Sequence, residues 1–248
     1  MRFSKSAFPR IVCGLLVLAI FALAAHSQAF GASESILWSF GTAANGGAPL
    51  GGLISDTAGN LYGTTFSGGT NDLLPDGTVF ELTPPSTSGG NWSESVLWSF
   101  NGTDGSEPVA GLIMDKGGNL YGTTTEGGAH ASEGTVFELT PPSTSGGGWT
   151  ESILWSFGVT ATDGRYPFGG LISDSAGNLY GTTQQGGVHN VGTVFKLIPP
   201  STSGGNWAES ILWSFAGIGI DGAAPEAGLI MDSSGNLYGT TVEGGGLW

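Results

Sequence analysis

Beyond its N-terminal leader the chain lacks cysteine. The single cysteine of its 248 residues, Cys13, lies within an early apolar run. Disulfides, thiolate metal sites and a cysteine nucleophile are therefore excluded from the rest. Bases are nearly as scarce, with 6 Lys and Arg against 20 Asp and Glu. Three of those bases, Arg2, Lys5 and Arg10, fall in the first ten residues. Without them three bases face twenty acids, a formal charge of −17. Such a surface repels phosphate backbones and anionic membranes, so no nucleic-acid partner is expected. Charged residues make up 10 % of the chain, against about 25 % in an ordinary domain. No stretch after residue 33 carries a 3.6-residue apolar period long enough for a helix. Phosphate-loop, zinc-helix and nucleophile-elbow motifs are all missing. No cofactor is implied.

What is present begins with a leader. The three early bases precede residues 11–25, uncharged and apolar, and then small residues at Ala25, Ser27, Ala29 and Ala32. This is the layout of a secretory signal peptide, with cleavage after Ser27, Ala29 or Ala32. An uncleaved anchor is the alternative, but a spanning helix needs about 20 apolar residues. The expectation is a signal peptide at 1–32, a secreted or cell-surface location, and no stable membrane insertion of the mature chain.

Glycine is abundant at 46 residues, joined by 12 prolines, yet the glycines are periodic. Eight Trp, 13 Phe and 5 Tyr supply apolar surface for a core. The period is internal repetition. The phrase Glu-Ser-Ile-Leu-Trp-Ser-Phe at 34–40 returns at 94–100 (with Val96), 151–157 and 209–215. Its tryptophans, Trp38, Trp98, Trp155 and Trp213, are spaced by 60, 57 and 58 residues. Each copy leads through an Asn/Asp-Gly-x-x-Pro loop to Gly-Leu-Ile-x-Asp and then Gly-Asn-Leu-Tyr-Gly-Thr-Thr. A Gly-Gly loop, Gly-Thr-Val-Phe-Glu/Lys-Leu and Pro-Pro-Ser-Thr-Ser-Gly-Gly complete the unit. The units run approximately 41–100, 101–157, 158–215 and, in part, 216–248, within a repeat domain at 33–248.

Short apolar and β-branched runs bounded by Gly, Pro, Asn and Asp predict four strands per unit. In the first unit these are A (53–55), B (61–65), C (78–83) and D (92–100). Along D, Val96, Trp98 and Phe100 are expected on one face and Ser95, Leu97 and Ser99 on the other. Apolar groups on both faces imply sheets covered on both sides. The predicted class is all-β: β-propeller-like tandem repeats of four-stranded antiparallel blades, with a β-solenoid as the competing architecture. The strand inventory is fifteen, counting a lone D strand at 34–40 and A and B of the last unit. After Glu243-Gly-Gly the pattern calls for C and D. We read the chain as part of a larger ring; the alternative is closure of a three-stranded fourth blade by residues 34–40.

Gly-Asn-Leu-Tyr-Gly-Thr-Thr, Gly-Thr-Val-Phe-Glu-Leu-Thr-Pro and Glu-Ser-Ile-Leu-Trp-Ser-Phe together resemble the Gloeo/Verruco (GloVer) tandem-repeat family. The resemblance covers the chain from residue 34 onward. It implies an exported bacterial repeat protein of β-propeller-like build, in a family that carries varied C-terminal anchors. It implies no chemistry.

The chemistry-bearing residues are few. Asp56, Asp115, Asp174 and Asp232 read as turn caps rather than calcium ligands, since calcium wants 6–8 oxygens. The tryptophan rows read as core rather than sugar platforms. His130 and His189 occupy equivalent loop positions and read as exposed, because a metal site needs three or four ligands. Asn91-Trp-Ser and Asn101-Gly-Thr match glycosylation sequons. Alternating strands send the A–B and C–D connections to one end and the D–A and B–C loops to the other. The first pair is nearly uniform between units; the second varies. Variable loops on a fixed frame suit a partner, and the candidates there are Glu126, His130, Asp163, Arg165, Tyr166, His189 and Asp221. The favoured reading is a non-catalytic exported scaffold binding a protein or polysaccharide. The alternative is a propeller-type extracellular lyase or hydrolase.

Overall fold

The computed structural model describes residues 34–41, 44–70, 76–130, 132–144, 146–202, 204–217 and 219–245. The leader expected at 1–32 lies outside them. The chain divides into two units, 1–36 and 37–248. Of the first only residues 34–36 are described, and every strand belongs to the second.

Three four-stranded antiparallel sheets repeat in sequence. The first holds β1 (Ile54–Ser55), β2 (Leu61–Thr65), β3 (Thr78–Thr83) and β4 (Ser93–Ser99) in that order. The second holds β5 (Ile113–Met114), β6 (Leu120–Thr124), β7 (Thr135–Thr140) and β8 (Thr150–Ser156). The third is interrupted by a small additional ribbon, β9 (Gly164–Arg165) paired with β12 (Gln185–Gly186). Its main sheet is β10 (Ile172–Ser173), β11 (Leu179–Thr183), β13 (Thr193–Ile198) and β14 (Ala208–Ser214). A two-stranded sheet, β15 (Ile230–Met231) and β16 (Leu237–Tyr238), comes last. No helix occurs among the described residues.

The expected D strand at 34–40 does not form; residues 34–41 carry no strand. The reason is pairing. In the three four-stranded sheets the D strand pairs with strand C, and among the described residues no strand pairs with 34–41. The three-stranded fourth blade considered as an alternative is likewise not seen, since β15 and β16 pair only with each other.

A second correction concerns alternation along D. Val79 pairs with Trp98, but Phe80 pairs with Val96. Leu97 is the extra residue of a β-bulge, so Val96 and Trp98 end on opposite faces. The same shift recurs at Val136/Phe137 and Val194/Phe195.

The core lies in the seams between consecutive sheets. One cluster joins Tyr62 and Val79 to Leu112, Leu120, Phe137 and Leu139 across the first seam. Phe100, closing the first D strand, meets Phe137 edge-on at 5.1 Å between ring centres. Phe157 and Phe195 repeat this at 5.1 Å across the second seam. Room for each ring comes from the glycine in the middle of strand B. A Cβ on Gly63, Gly122 or Gly181 would lie 2.7, 2.5 or 2.6 Å from the Cζ of Phe80, Phe137 or Phe195. Seam hydrogen bonds run from the B-strand threonines. Thr64 donates to the Ala110 carbonyl at 2.9 Å and Thr182 to that of Ala227 at 3.1 Å. Each unit thus contacts its neighbours, as in other tandem-repeat architectures.

The repeated aspartates cap the A–B turns, as the sequence implied. Asp174 accepts from the Ala176 and Asn178 backbone, the Asn178 amide at 2.7 Å and the Tyr180 hydroxyl at 2.9 Å. Asp56, Asp115 and Asp232 have the same four kinds of partner. Asp174→Ala is expected to lower stability by about 1 kcal/mol, the net worth of a solvent-facing cap. A urea titration that leaves the midpoint unmoved would count against the cap.

Candidate functional site

The variable D–A and B–C loops meet at one end of each unit. Ser106 bridges to Glu126, Gly47 to Ser67 and Ala223 to Glu243. In the third unit the bridge widens into the β9–β12 ribbon. Before the loop proline, one non-glycine residue per unit takes a left-handed conformation: Ala48, Glu107, Tyr166 and Ala224, with φ of 52°, 56°, 56° and 51°. That conformation costs roughly 1–2 kcal/mol for an L-residue, and at Glu107, Tyr166 and Ala224 hydrogen bonds on both sides of it offset the cost. The Glu107 N–H donates to the Asp76 carbonyl of the preceding unit at 2.8 Å, while its own carbonyl accepts from Thr125. Tyr166 and Ala224 do likewise, donating to the Glu133 and Val191 carbonyls at 2.9 Å.

These anchors leave clefts at the seams. One of about 290 Å3 is lined by Glu107, Glu126, Tyr166, Phe168 and Gln184. The next, of about 420 Å3, is lined by Gln185, Asn190, Glu226 and Glu243 among others. The lining is acidic and amide-rich. Burial, and after it the Glu126 and Asp76 charges, push the Glu107 carboxyl above its usual range.

The predicted site residues separate into groups. Glu126 and Tyr166 share the first cleft. His130 is exposed and lines a different cavity, of about 380 Å3, beside Trp155 and Trp207. His189 is exposed on its own loop. Arg165 reaches across the seam, its Nε 3.1 Å from Oε2 of the buried Glu133, a charge contact without hydrogen-bond alignment. Asp163 is 3 % exposed and accepts from the Val159 and Gly164 N–H groups at 2.8 and 2.7 Å. Asp221 accepts from the Trp213 indole at 2.8 Å and from the Ala216 and Gly222 N–H groups. Both aspartates are engaged in shaping their own loops. Among the described residues no group of three His, Asp or Glu is placed to hold a metal ion.

Sequence reading missed a row of part-buried carboxyls: Glu94, Glu151 and Glu209, the second residue of each D strand. In the first unit Glu94 accepts from the Asn45 amide at 3.0 Å. In the next two units the asparagine is replaced by Asp104 and Asp163. Burial first, then the Asp104 charge, pushes Glu151 up to about 7. Burial, then the Asp163 charge and a hydrogen bond to its carboxyl, pushes Glu209 up to about 8. In the Glu209–Asp163 pair two carboxylates have no donor between them, and a retained proton supplies it. The Asn45–Glu94 contact in the same place marks the row as structural. The signal available was the recurrence of that glutamate in every copy of the phrase.

Sheets of one design joined seam to seam define a tandem-repeat all-β protein. The chain belongs to the Gloeobacter/Verrucomicrobia repeat family, whose model matches residues 19–247. No curated protein matches it.

Proposed function

We propose that the chain is an exported, non-catalytic scaffold of β-propeller type that binds a protein or polysaccharide through the variable-loop end. The observation that carries this is the fixing of those loops by main-chain hydrogen bonds, which leaves their side chains to differ at each seam. A frame of that kind presents different chemistry on a repeated geometry. The propeller reading is supported by sheets that pack face against face through the phenylalanine pairs. Export is supported by the leader sequence. The two seam clefts accept extended, hydroxyl- or amine-bearing groups through carboxylate and amide acceptors.

The purified chain is screened on a glycan array and against envelope proteins. A specific ligand is expected, and Glu126→Ala with Tyr166→Ala and Gln185→Ala is expected to weaken it at least tenfold. Binding that survives the triple substitution removes the loop end from the account.

A further inference from the structure

Between the second and third sheets lies a cavity of about 380 Å3. Ile153 and Trp155 on β8, and Val159 in the loop after it, line it from the second unit. Asn206 and Trp207, which lead into β14, line it from the third, and His130 joins them from a B–C loop. Trp155 and Trp207 also pack against the core of this seam, so the seam itself fixes where the two rings lie. Ile153 and Val159 are 40 % and 49 % exposed. His130 and Asn206 are exposed too, and among the described residues neither side chain has a hydrogen-bond partner.

No carboxylate, lysine or arginine lines this cavity. The chain has 20 acids, and the loop-end clefts are lined by Glu107, Glu126, Glu226 and Glu243. A cation therefore finds no partner here, and an anion must approach a strongly negative molecule. The lining suits a neutral ligand with an apolar face for the indoles and a polar rim for an amide and an imidazole. A pyranose ring is divided in that way, with C–H bonds on its faces and hydroxyls around its edge. The volume falls at the small end of the roughly 300–1,000 Å3 range of ligand sites, which suits about one or two sugar rings.

The first seam has the same two tryptophans, Trp98 and Trp149, without the same polar groups. The sequence positions that match His130 and Asn206 there hold Asn71 and Gly148. The Trp98 indole N–H donates to Asp104 at 3.2 Å. Asp163, the counterpart of Asp104, is taken by the Val159 and Gly164 N–H groups. The buried Trp155 N–H has no acceptor among the described residues. Trp155 is therefore not pinned at its polar edge and can settle onto a bound ring.

We propose that this cavity binds a neutral hexopyranose unit of a glycan, its face against Trp155 and Trp207 and its hydroxyls bonded to the Asn206 amide and the His130 imidazole. Of the residues assigned to the loop end only His130 lines this cavity, so either reading can fail without the other.

The test titrates the purified chain with cellotetraose, maltotetraose, mannotetraose and galactotetraose, followed by NMR. Saturable binding of at least one is expected at millimolar concentration or below. It should shift the indole N–H resonances of Trp155 and Trp207, assigned through Trp155→Phe and Trp207→Phe. Asn206→Gly, which installs the residue of the first seam, together with His130→Ala is expected to weaken binding at least tenfold. Both positions are exposed, so the thermal midpoint should not move. Trigalacturonate, the same kind of ring with a negative charge, is expected not to compete. The proposal is overturned if none of the four sugars binds, or if the shifts fall on other indoles. Binding that survives the double substitution also overturns it, as does trigalacturonate binding as tight as that of the neutral sugars.

Discussion

Phe137→Ala is expected to destabilise the chain by about 3–5 kcal/mol, the range for a fully buried phenylalanine. Its side chain has no solvent exposure and touches elements of two units. Phe100 lies against it edge-on, and the missing side chain of Gly122 forms the other wall. Truncation therefore opens a cavity in the seam that the rigid strands on both sides cannot close. Because cohesion in a tandem repeat comes from each interface, the loss also uncouples the first sheet from the second. Urea unfolding monitored by tryptophan fluorescence should show an earlier and broader transition. Phe215→Ala, at a partly exposed position in the fourth unit, should cost much less. Equal costs at the two positions would mean that the seam does not hold the units together.

Stability should fall as pH rises from 5 to 9, by on the order of 2 kcal/mol from the Glu209–Asp163 pair. The sign comes from the raised value. Glu209 keeps its proton in the folded chain up to about 8, whereas the unfolded chain releases it near the ordinary glutamate value. Its contribution is complete below that ordinary value and is lost as pH climbs through 8. Glu151, raised to about 7, adds in the same direction. Glu209→Gln supplies a permanent donor to Asp163, as the Asn45 amide does for Glu94. The variant should match the parent at pH 5 and exceed it at pH 9. Thermal midpoints across that range decide the matter, and a parent profile no steeper than the variant's would refute it. The turn aspartates act on the other limb. Slight burial pushes Asp56 and Asp174 up, but the hydrogen bonds they accept outweigh it and hold both below the usual range. The Asn236 side chain and then its backbone bring Asp232 down to about 2. Their contribution is present above the ordinary aspartate value and lost in more acidic solution.

Strands B and C were legible to the residue, because punctuation by Gly, Asn and Pro bounds them tightly. The end of the unit at which each loop emerges was legible too, since antiparallel neighbours alternate. Other features were hidden for reasons that are physical. Residues 34–40 and 151–157 are identical in sequence, yet only the second stretch is a strand. Propensity is equal in both; the C-strand partner decides. The bulge at Leu97 escaped because Val96, Leu97 and Trp98 are all apolar, so a slip of one residue leaves no mark on the pattern. The glycine inside Leu-Tyr-Gly-Thr-Thr was a readable sign of close approach. What approaches it, the ring of a phenylalanine on the neighbouring strand, is set by register. At the loop end, Glu126 and Tyr166 could be singled out because they vary. Asp163 and Asp221 vary little and proved to be held by their own loops. The carboxyl row needed three dimensions, since Glu209 and Asp163 are far apart in the chain and each looks solvated alone.

The left-handed residues before the loop prolines have a consequence for redesign. Glu107, Tyr166 and Ala224 are each held through their own N–H and C=O and Ala48 through its C=O, and the Ser106–Glu126 type of bridge likewise uses main-chain atoms. What the frame dictates at this end is dihedral angle, a few glycines and one proline per unit. Side-chain identity is left open, as Ala48, Glu107, Tyr166 and Ala224 demonstrate by placing a methyl, a carboxylate and a phenol at one position. Randomised libraries could therefore be written onto adjacent units independently, with the spacing between them set by the repeat.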